Sequence, residues 1–398
     1  MRDGNCVISM LQIKWLQNTR SMPYRVFLGT ILIISILQAC KSPEKIVAPA
    51  SNELRPAKNI ILLIGDGMAL PQISAALYSN NNKLNLEQFS IIGFHKPYSS
   101  SDLITDSAAG ATAFACGVKT YNGSIGMTQD TVPCTTILEE LESRGYATGL
   151  IASSTIVHAT PASFIAHQPL RVFYEAIAAD MLKVDVDLLI GGGKRYFERR
   201  EDDERDLYEE LRQKGYIVSD YYKEELKDIN PTTKRPFVYF TADKHPLTHA
   251  AGRDYLPGAT SFAISFLERR SDQGFFLMVE GSQIDWGGHS NDGGLLVEEA
   301  IDFDQVVGEA LRYAKRDGET LVLVTGDHES GGLAINPGSQ MNKLQLAFTT
   351  NGHTAAMVPV FAYGPSAELF SGIYENTEVH NKMKLALGIH DETTSSSK

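Results

Sequence analysis

The sequence has too few cysteines to be held together by them. There are four, Cys6, Cys40, Cys116 and Cys134, and their spacings fit neither a zinc knuckle nor a thioredoxin-type pair. None has the setting of a nucleophile. Cys116 and Cys134 either bridge in an oxidising compartment or remain two buried thiols, and their separation does not choose between these. Basic residues are also short, 36 Lys and Arg against 48 Asp and Glu, for a net charge of −12. Residues 1–39 hold four basic side chains against Asp3, so the remainder carries −15. That deficit argues against a nucleic-acid-binding surface and leaves acidic groups available as ligands for cations. The apolar run at residues 26–37 is too short for an ordinary membrane-spanning helix, which needs about 20 residues. No internal repeat is present.

What remains is the composition of a globular chain, 43% hydrophobic and 21% charged, long enough for one large α/β domain or two smaller ones. Arg20 and Arg25 precede the 26–37 run and Gln38-Ala39-Cys40 follows it, the pattern of a bacterial secretory signal ending in a lipobox. Residues 1–39 are therefore expected to be a signal segment, with Met22 as an alternative start. The mature protein is expected to be exported, periplasmic or anchored to the outer membrane through a lipid on Cys40. Residues 40–58, with Pro43, Pro49 and Pro56 and no periodicity, read as a tether, 59–388 as the folded domain and 389–398 as a frayed tail.

Residues 59–64 form a continuous apolar run, as in a strand buried on both faces, and end at Gly65-Asp66-Gly67; Pro71 then opens a helix. Strands are predicted at 147–152, 186–190, 275–279, 320–325 and 358–363, with helices at 135–144, 170–182, 259–270 and 295–316. Such alternation predicts a three-layer α/β/α sandwich around a largely parallel sheet, with ligands bound beyond the carboxyl ends of the strands. The charged stretch 198–210 is expected to be a solvated helix face without function.

Ser107 follows Asp106 at the start of a predicted small-residue helix, 104–113. The unpaired N–H groups of a helix's first turn would stabilise a phosphoryl group there, although Asp-Ser before alanines is more often an ordinary N-cap. Asp66, Glu280 and Asp327 lie at or just past the ends of predicted strands. Two of these fall in clusters, Glu280 with Asp285-Trp286-Gly287-Gly288-His289 and Asp327 with His328-Glu329, while His353-Thr354 lies in a later glycine-containing loop. Imidazoles and carboxylates in that combination suit Zn²⁺, and carboxylates with a hydroxyl suit Mg²⁺.

Taken in order, Gly65-Asp66-Gly67-Met68, Thr105-Asp106-Ser107-Ala108, His158-Ala159-Thr160-Pro161, Arg171, residues 280–289, Thr325-Gly326-Asp327-His328 and His353-Thr354 resemble the alkaline phosphatases. The resemblance implies phosphate monoester hydrolysis through a phosphoserine on Ser107. It implies one zinc held by Asp66, Asp327 and His328 and a second held by Asp285, His289 and His353. A third ion, usually magnesium, would be held by Asp66, Thr160 and Glu280 with His158 beside it. Arg171 would clamp the phosphate, oriented by Asp106. His158 stands where some members have aspartate, and Trp286 where some have lysine or histidine. Only residues 329–352 separate His328 from His353, where many members insert a longer crown. This implies a more open site and leaves a homodimer open, without the usual crown contacts. Two alternatives stand beside this reading, a related two-zinc phosphodiesterase and a non-catalytic secreted phosphate-binding protein. A sulfatase lacks its Cys/Ser-x-Pro-x-Arg context here.

Overall fold

The structure, a computed structural model, describes residues 54–390. The expected signal segment, most of the expected tether including Cys40, and residues 391–398 lie outside the described residues. In chain order these form β1 (Asn59–Gly65), α1 (Leu70–Ser79), β2 (Ile91–Lys96), α2 (Ser107–Cys116), α3 (Ile137–Ser143), β3 (Ala147–Thr155), α4 (Ala159–Ala162), α5 (Tyr174–Met181) and β4 (Leu188–Gly192). Next come α6 (Arg195–Glu198), α7 (Leu207–Gln213), β5 (Ile217–Asp220), β6 (Phe237–Phe240), α8 (Tyr255–Glu268), β7 (Phe275–Gly281), α9 (Gln283–His289), α10 (Gly293–Asp317) and β8 (Thr320–Thr325). Four two-residue strands follow, β9 (Glu329–Ser330), β10 (Ala334–Ile335), β11 (Leu346–Ala347) and β12 (His353–Thr354), then β13 (Val358–Tyr363), β14 (Gly372–Glu375) and α11 (Thr377–Ala386).

Among the described residues, ten strands join in one sheet in the order β14-β2-β13-β8-β1-β7-β3-β4-β6-β5. Every residue of β1 is buried, which explains its uninterrupted apolar run. Successive side chains point to opposite faces. Ile60, Leu62 and Ile64 enter a core with Phe114, Leu138 and Ile177 of α2, α3 and α5, while Ile61 and Leu63 enter a second core with Ala263 of α8 and Phe303 of α10. Each such buried aliphatic side chain contributes about 1.5–3 kcal/mol. The result is the expected α/β fold with helices on both faces of a mostly parallel sheet.

The register of the central strands gathers the acidic groups. β1 runs parallel to both β7 and β8, with Ile64 opposite Glu280 on one side and Thr325 on the other. Asp66 and Asp327 therefore leave the sheet at the same level, with Glu280 beside them. Among the described residues no helix is long and apolar enough to cross a membrane.

Several expectations are corrected. β13 is antiparallel to β8 and β2, because an apolar run carries no information about strand direction. The helix expected from 170 begins at Tyr174, leaving Arg171 in the preceding loop. The charged stretch 198–210 is not a helix face but mostly a loop between α6 and α7. It is pinned by the Glu175 carboxylate, which accepts from the N–H groups of Glu201 and Asp202, and by Arg200, which donates to the Glu175 and Tyr196 carbonyls. The four-residue strands β5, β6 and β14 are too short to show a pattern, and β2, in which only Gly93 and His95 are buried, lacks a continuous apolar run. Ala57 is already buried, its N–H bonded to the Ala386 carbonyl at 2.7 Å, so packing begins before residue 59. Cys116 and Cys134 form a disulfide, with Cα atoms 6.0 Å apart.

Candidate active site

Asp106 caps α2 with its backbone extended, its Oδ1 accepting from the Ala109 N–H at 3.0 Å, so Ser107 is the first residue of the helix. The Ser107 hydroxyl is buried. It donates to Asp66 Oδ1 at 3.3 Å and lies 3.3 Å from His328 Nε2. The small residues of α2 have a reason here: a Cβ on Gly110 would meet the Asp327 Cβ at 3.2 Å and its carbonyl oxygen at 3.3 Å. Gly67, at φ +72°, turns its N–H toward Asp327 Oδ1 at 3.0 Å, a backbone conformation that favours glycine.

The groups around this serine are built for cations. Ligand atoms of Asp285, His289 and His353 lie within 4.8 Å of one another, as do those of Asp66, Asp285 and His328, and those of Asp66, His158 and Glu280. Asp327 joins them, its Oδ2 3.2 Å from His328 Nε2, with Asp66 Oδ1 3.6 Å from the same nitrogen. His289 Nδ1 donates to the Asn351 carbonyl at 2.7 Å and His353 Nδ1 to the Thr105 carbonyl at 2.8 Å. Carbonyls only accept, so both Nδ1 atoms carry protons, and the two Nε2 atoms are turned toward one another 3.1 Å apart. His289 Nε2 also lies 3.2 Å from Asp285 Oδ2, and that hydrogen bond lifts the His289 pKa to about 9.

The carboxylates show the same demand. Burial, then the charges of Asp327, Asp285 and Glu280, holds the Asp66 pKa well above the carboxylate range; burial pushes Glu280 up to about 7 and Asp327 to about 6. Asp66 Oδ2, Glu280 Oε1 and Asp327 Oδ2 are buried without a hydrogen-bond partner. Oxygens left in that state are costly, and divalent cations are the partners that this donor set fits.

Arg171 reaches in from its loop, where its N–H donates to the Gly123 carbonyl at 2.7 Å. Its Nη1 donates to Asp106 Oδ2 at 3.1 Å, and its Nη2 lies 3.4 Å from His158 Nε2. Asp106 Oδ2 also accepts from the Gly123 N–H at 3.0 Å, so one carboxylate both caps the helix and aims the guanidinium. Burial, then the neighbouring Arg171, lowers the His158 pKa to about 3, which keeps that imidazole neutral. Thr160 is fully buried, and its hydroxyl, like Glu280 Oε1, has no hydrogen-bond partner. The structure thus brings every expected site residue into one cluster.

Two contributors were not foreseen. Glu329 Oε1 accepts from Gln72 Nε2 at 2.6 Å and the Leu333 N–H at 3.1 Å; Oε2 accepts from Thr354 Oγ1 at 2.6 Å and the Gly332 N–H at 3.1 Å. It ties β9 to β12 and so holds His328 against His353, whose rings stack 3.5 Å apart. Its place next to Asp327-His328 was the available signal. The other is His245, packed edge-on against His158 and Trp286, an isolated histidine that no spacing singles out.

A family model described as alkaline phosphatase matches residues 57–347 and 336–389. Alkaline phosphatase 3 of Bacillus subtilis (strain 168) is 34% identical, over 83% of this chain and 89% of that protein. The structure of alkaline phosphatase from the Antarctic bacterium TAB5 superimposes with a TM-score of 0.79 at 42% identity, covering 85% of this chain and 100% of that one. A variant of the TAB5 enzyme, with one histidine replaced by aspartate and magnesium bound in its M3 site, matches with a TM-score of 0.79 at 41% identity over the same shares.

Proposed function

The chain belongs to the alkaline phosphatase family and is a phosphomonoesterase, and from that premise we propose that it acts through a phosphoserine formed on Ser107. The observation that carries this reading is the buried serine hydroxyl set among partnerless carboxylate oxygens, with the His289 and His353 imidazoles gathered beside it. Two zinc ions, one on Asp66, Asp327 and His328 and one on Asp285, His289 and His353, with a magnesium on Asp66, Thr160 and Glu280 beside His158, would supply the Lewis acidity that activates a weak hydroxyl and offsets charge on the ester oxygens.

The chain's own groups account for the rest. Ser107 Oγ, hydrogen-bonded to Asp66 Oδ1 at 3.3 Å, would bond to phosphorus as the ester P–O bond breaks, the serine proton passing to solvent and a solvent proton going to the departing alkoxide. Water then attacks the phosphoserine, releasing phosphate and restoring the hydroxyl. The Arg171 guanidinium, held by Asp106, donates parallel hydrogen bonds to non-bridging oxygens, which favours a monoester over a diester that has fewer of them free. This contrast separates the reading from a phosphodiesterase. Turnover of a monoester and a diester of the same alcohol should strongly favour the monoester. Arg171→Ala should weaken inhibition by inorganic phosphate about tenfold or more, since charged hydrogen bonds are worth about 1.5–3 kcal/mol each. Unchanged phosphate inhibition would assign the clamp elsewhere.

His158 decides how the third ion is held. Neutral imidazole brings no charge to a hard cation, whereas a carboxylate would hold the ion's water ligands by charge and hydrogen bonding. His158→Asp is therefore expected to raise magnesium affinity and reduce activation by added magnesium. Elemental analysis alongside magnesium titration of activity, with zinc kept saturating, provides the check. Equal magnesium content and equal midpoints would remove His158 from that role. The partners of this reading are small phosphate monoesters, and export with a lipid on Cys40 remains a proposal from sequence.

A further inference from the structure

Arg171 and Ser107 stand on separate loops, and transfer of a phosphoryl group requires the two to be in register. Residues 121–125 and 168–171 are tied into one block. The Ile125 N–H donates to the Gln168 carbonyl at 2.9 Å, the Gln168 N–H to the Ile125 carbonyl at 3.0 Å, the Arg171 N–H to the Gly123 carbonyl at 2.7 Å and the Tyr121 hydroxyl to the Pro169 carbonyl at 3.1 Å. Arg171 is thereby fixed relative to Gly123. Ser107, in contrast, follows residues 101–106, which belong to no helix or strand, so its placement depends on what bonds the backbone of that turn.

Asn122, half-buried at the edge of the Arg171 block, bonds that turn. Its Nδ2 donates to the Ile104 carbonyl at 3.0 Å, its Oδ1 accepts from the Asp106 N–H at 3.2 Å, and its own N–H donates to Ser101 Oγ at 3.0 Å. One amide thus holds the backbone on both sides of Thr105, with its donor on one side and its acceptor on the other. A side chain that is only a donor or only an acceptor could make half of this link. Three groups of the site hang on the held segment: the Thr105 carbonyl accepts from His353 Nδ1, Asp106 caps α2 and aims Arg171, and Ser107 comes next in the chain. We propose that Asn122 is a positioning residue for phosphoryl transfer, setting Ser107 in register with a phosphate held by Arg171 through the backbone of residues 104–106. The inference rests on the phosphoserine reading above and names the residue that aligns it.

Asn122→Ala removes both side-chain bonds but leaves Arg171 bonded to the Asp106 carboxylate and to the Gly123 carbonyl. Phosphate should therefore be held nearly as before while the serine loses its alignment. The measurement is the rate at which the metal-loaded enzyme, mixed rapidly with a radiolabelled monoester and quenched in acid, acquires phosphoserine, compared at equal metal content. That rate is expected to fall by about 10- to 100-fold, as for small misplacements of reacting groups, while inhibition by inorganic phosphate changes less than about threefold. Asn122→Asp should slow the step as well, because it keeps an acceptor for the Asp106 N–H but sets a carboxylate oxygen against the Ile104 carbonyl. A residue that only stabilised the fold would lower the melting temperature and leave the single-turnover rate of the folded enzyme unchanged. A wild-type labelling rate in Asn122→Ala, or a fall in rate matched by an equal loss of phosphate affinity, overturns the proposal; should that variant not fold, Asn122→Asp decides by the same two readouts. Absence of label on the wild-type enzyme removes the phosphoserine reading and this inference with it.

Discussion

Ser107→Ala is expected to abolish covalent labelling by phosphate and to slow monoester turnover by on the order of 10³-fold or more, with metal content nearly unchanged. The hydroxyl is the one group in the cluster placed to form a bond to phosphorus from the start of a helix, where unpaired N–H groups favour negative charge. Its removal takes away the nucleophile but leaves the Asp66, His328 and Asp327 donor atoms where they are, so cation binding should survive. Folding should survive as well, since alanine suits the small-residue packing of α2. Some hydrolysis should remain, because Arg171 and Asp106 still hold a phosphoryl group in place for direct attack by water. The decisive readout is recovery of labelled phosphate on the protein after quenching in acid. Labelling of the alanine variant at the wild-type level would show that the covalent step occurs on another residue.

Removal of divalent cations is the second large effect. A chelator is expected to eliminate turnover and to lower the melting temperature by on the order of 10 °C, both restored by zinc with magnesium. Asp66, Glu280 and Asp327 are fully buried, each has an oxygen without a donor, and burial and mutual repulsion push all three pKa values up. Bound cations would remove this repulsion and stabilise the fold by linkage, because the unfolded chain does not assemble the site. Elemental analysis should find that the lost metal tracks the lost stability. A chelated protein that is metal-free yet melts at the original temperature would mean that these carboxylates are satisfied in some other way.

The proposed nucleophile and several of the proposed metal ligands stand in local sequence patterns with a chemical reason. Asp66 and Asp327 directly follow apolar runs, Ser107 follows a capping aspartate, and His289 lies on the same helical turn as Asp285. Strands buried on both faces were legible for the same reason, as β1 and β8 show. Short strands were not, since four residues such as those of β5 and β6 carry no usable period.

Residue type and order along the chain therefore determined which groups are available: a serine, an arginine and a set of oxygen and imidazole donors in a largely parallel α/β frame. Tertiary structure decided how these groups meet. The pairing of β1 with β7 and β8 brings Asp66, Glu280 and Asp327 to one level, although more than 200 residues separate the first from the others. Glu329, bonded by Gln72 from a distant helix and by Thr354 of β12, sets how His328 and His353 stack. His245 reaches Trp286 and His158 only because a loop after β6 folds back over the ends of the strands. Local patterns specify a residue's neighbours within a turn or a strand, whereas long-range pairing and direction arise only once the layers have packed.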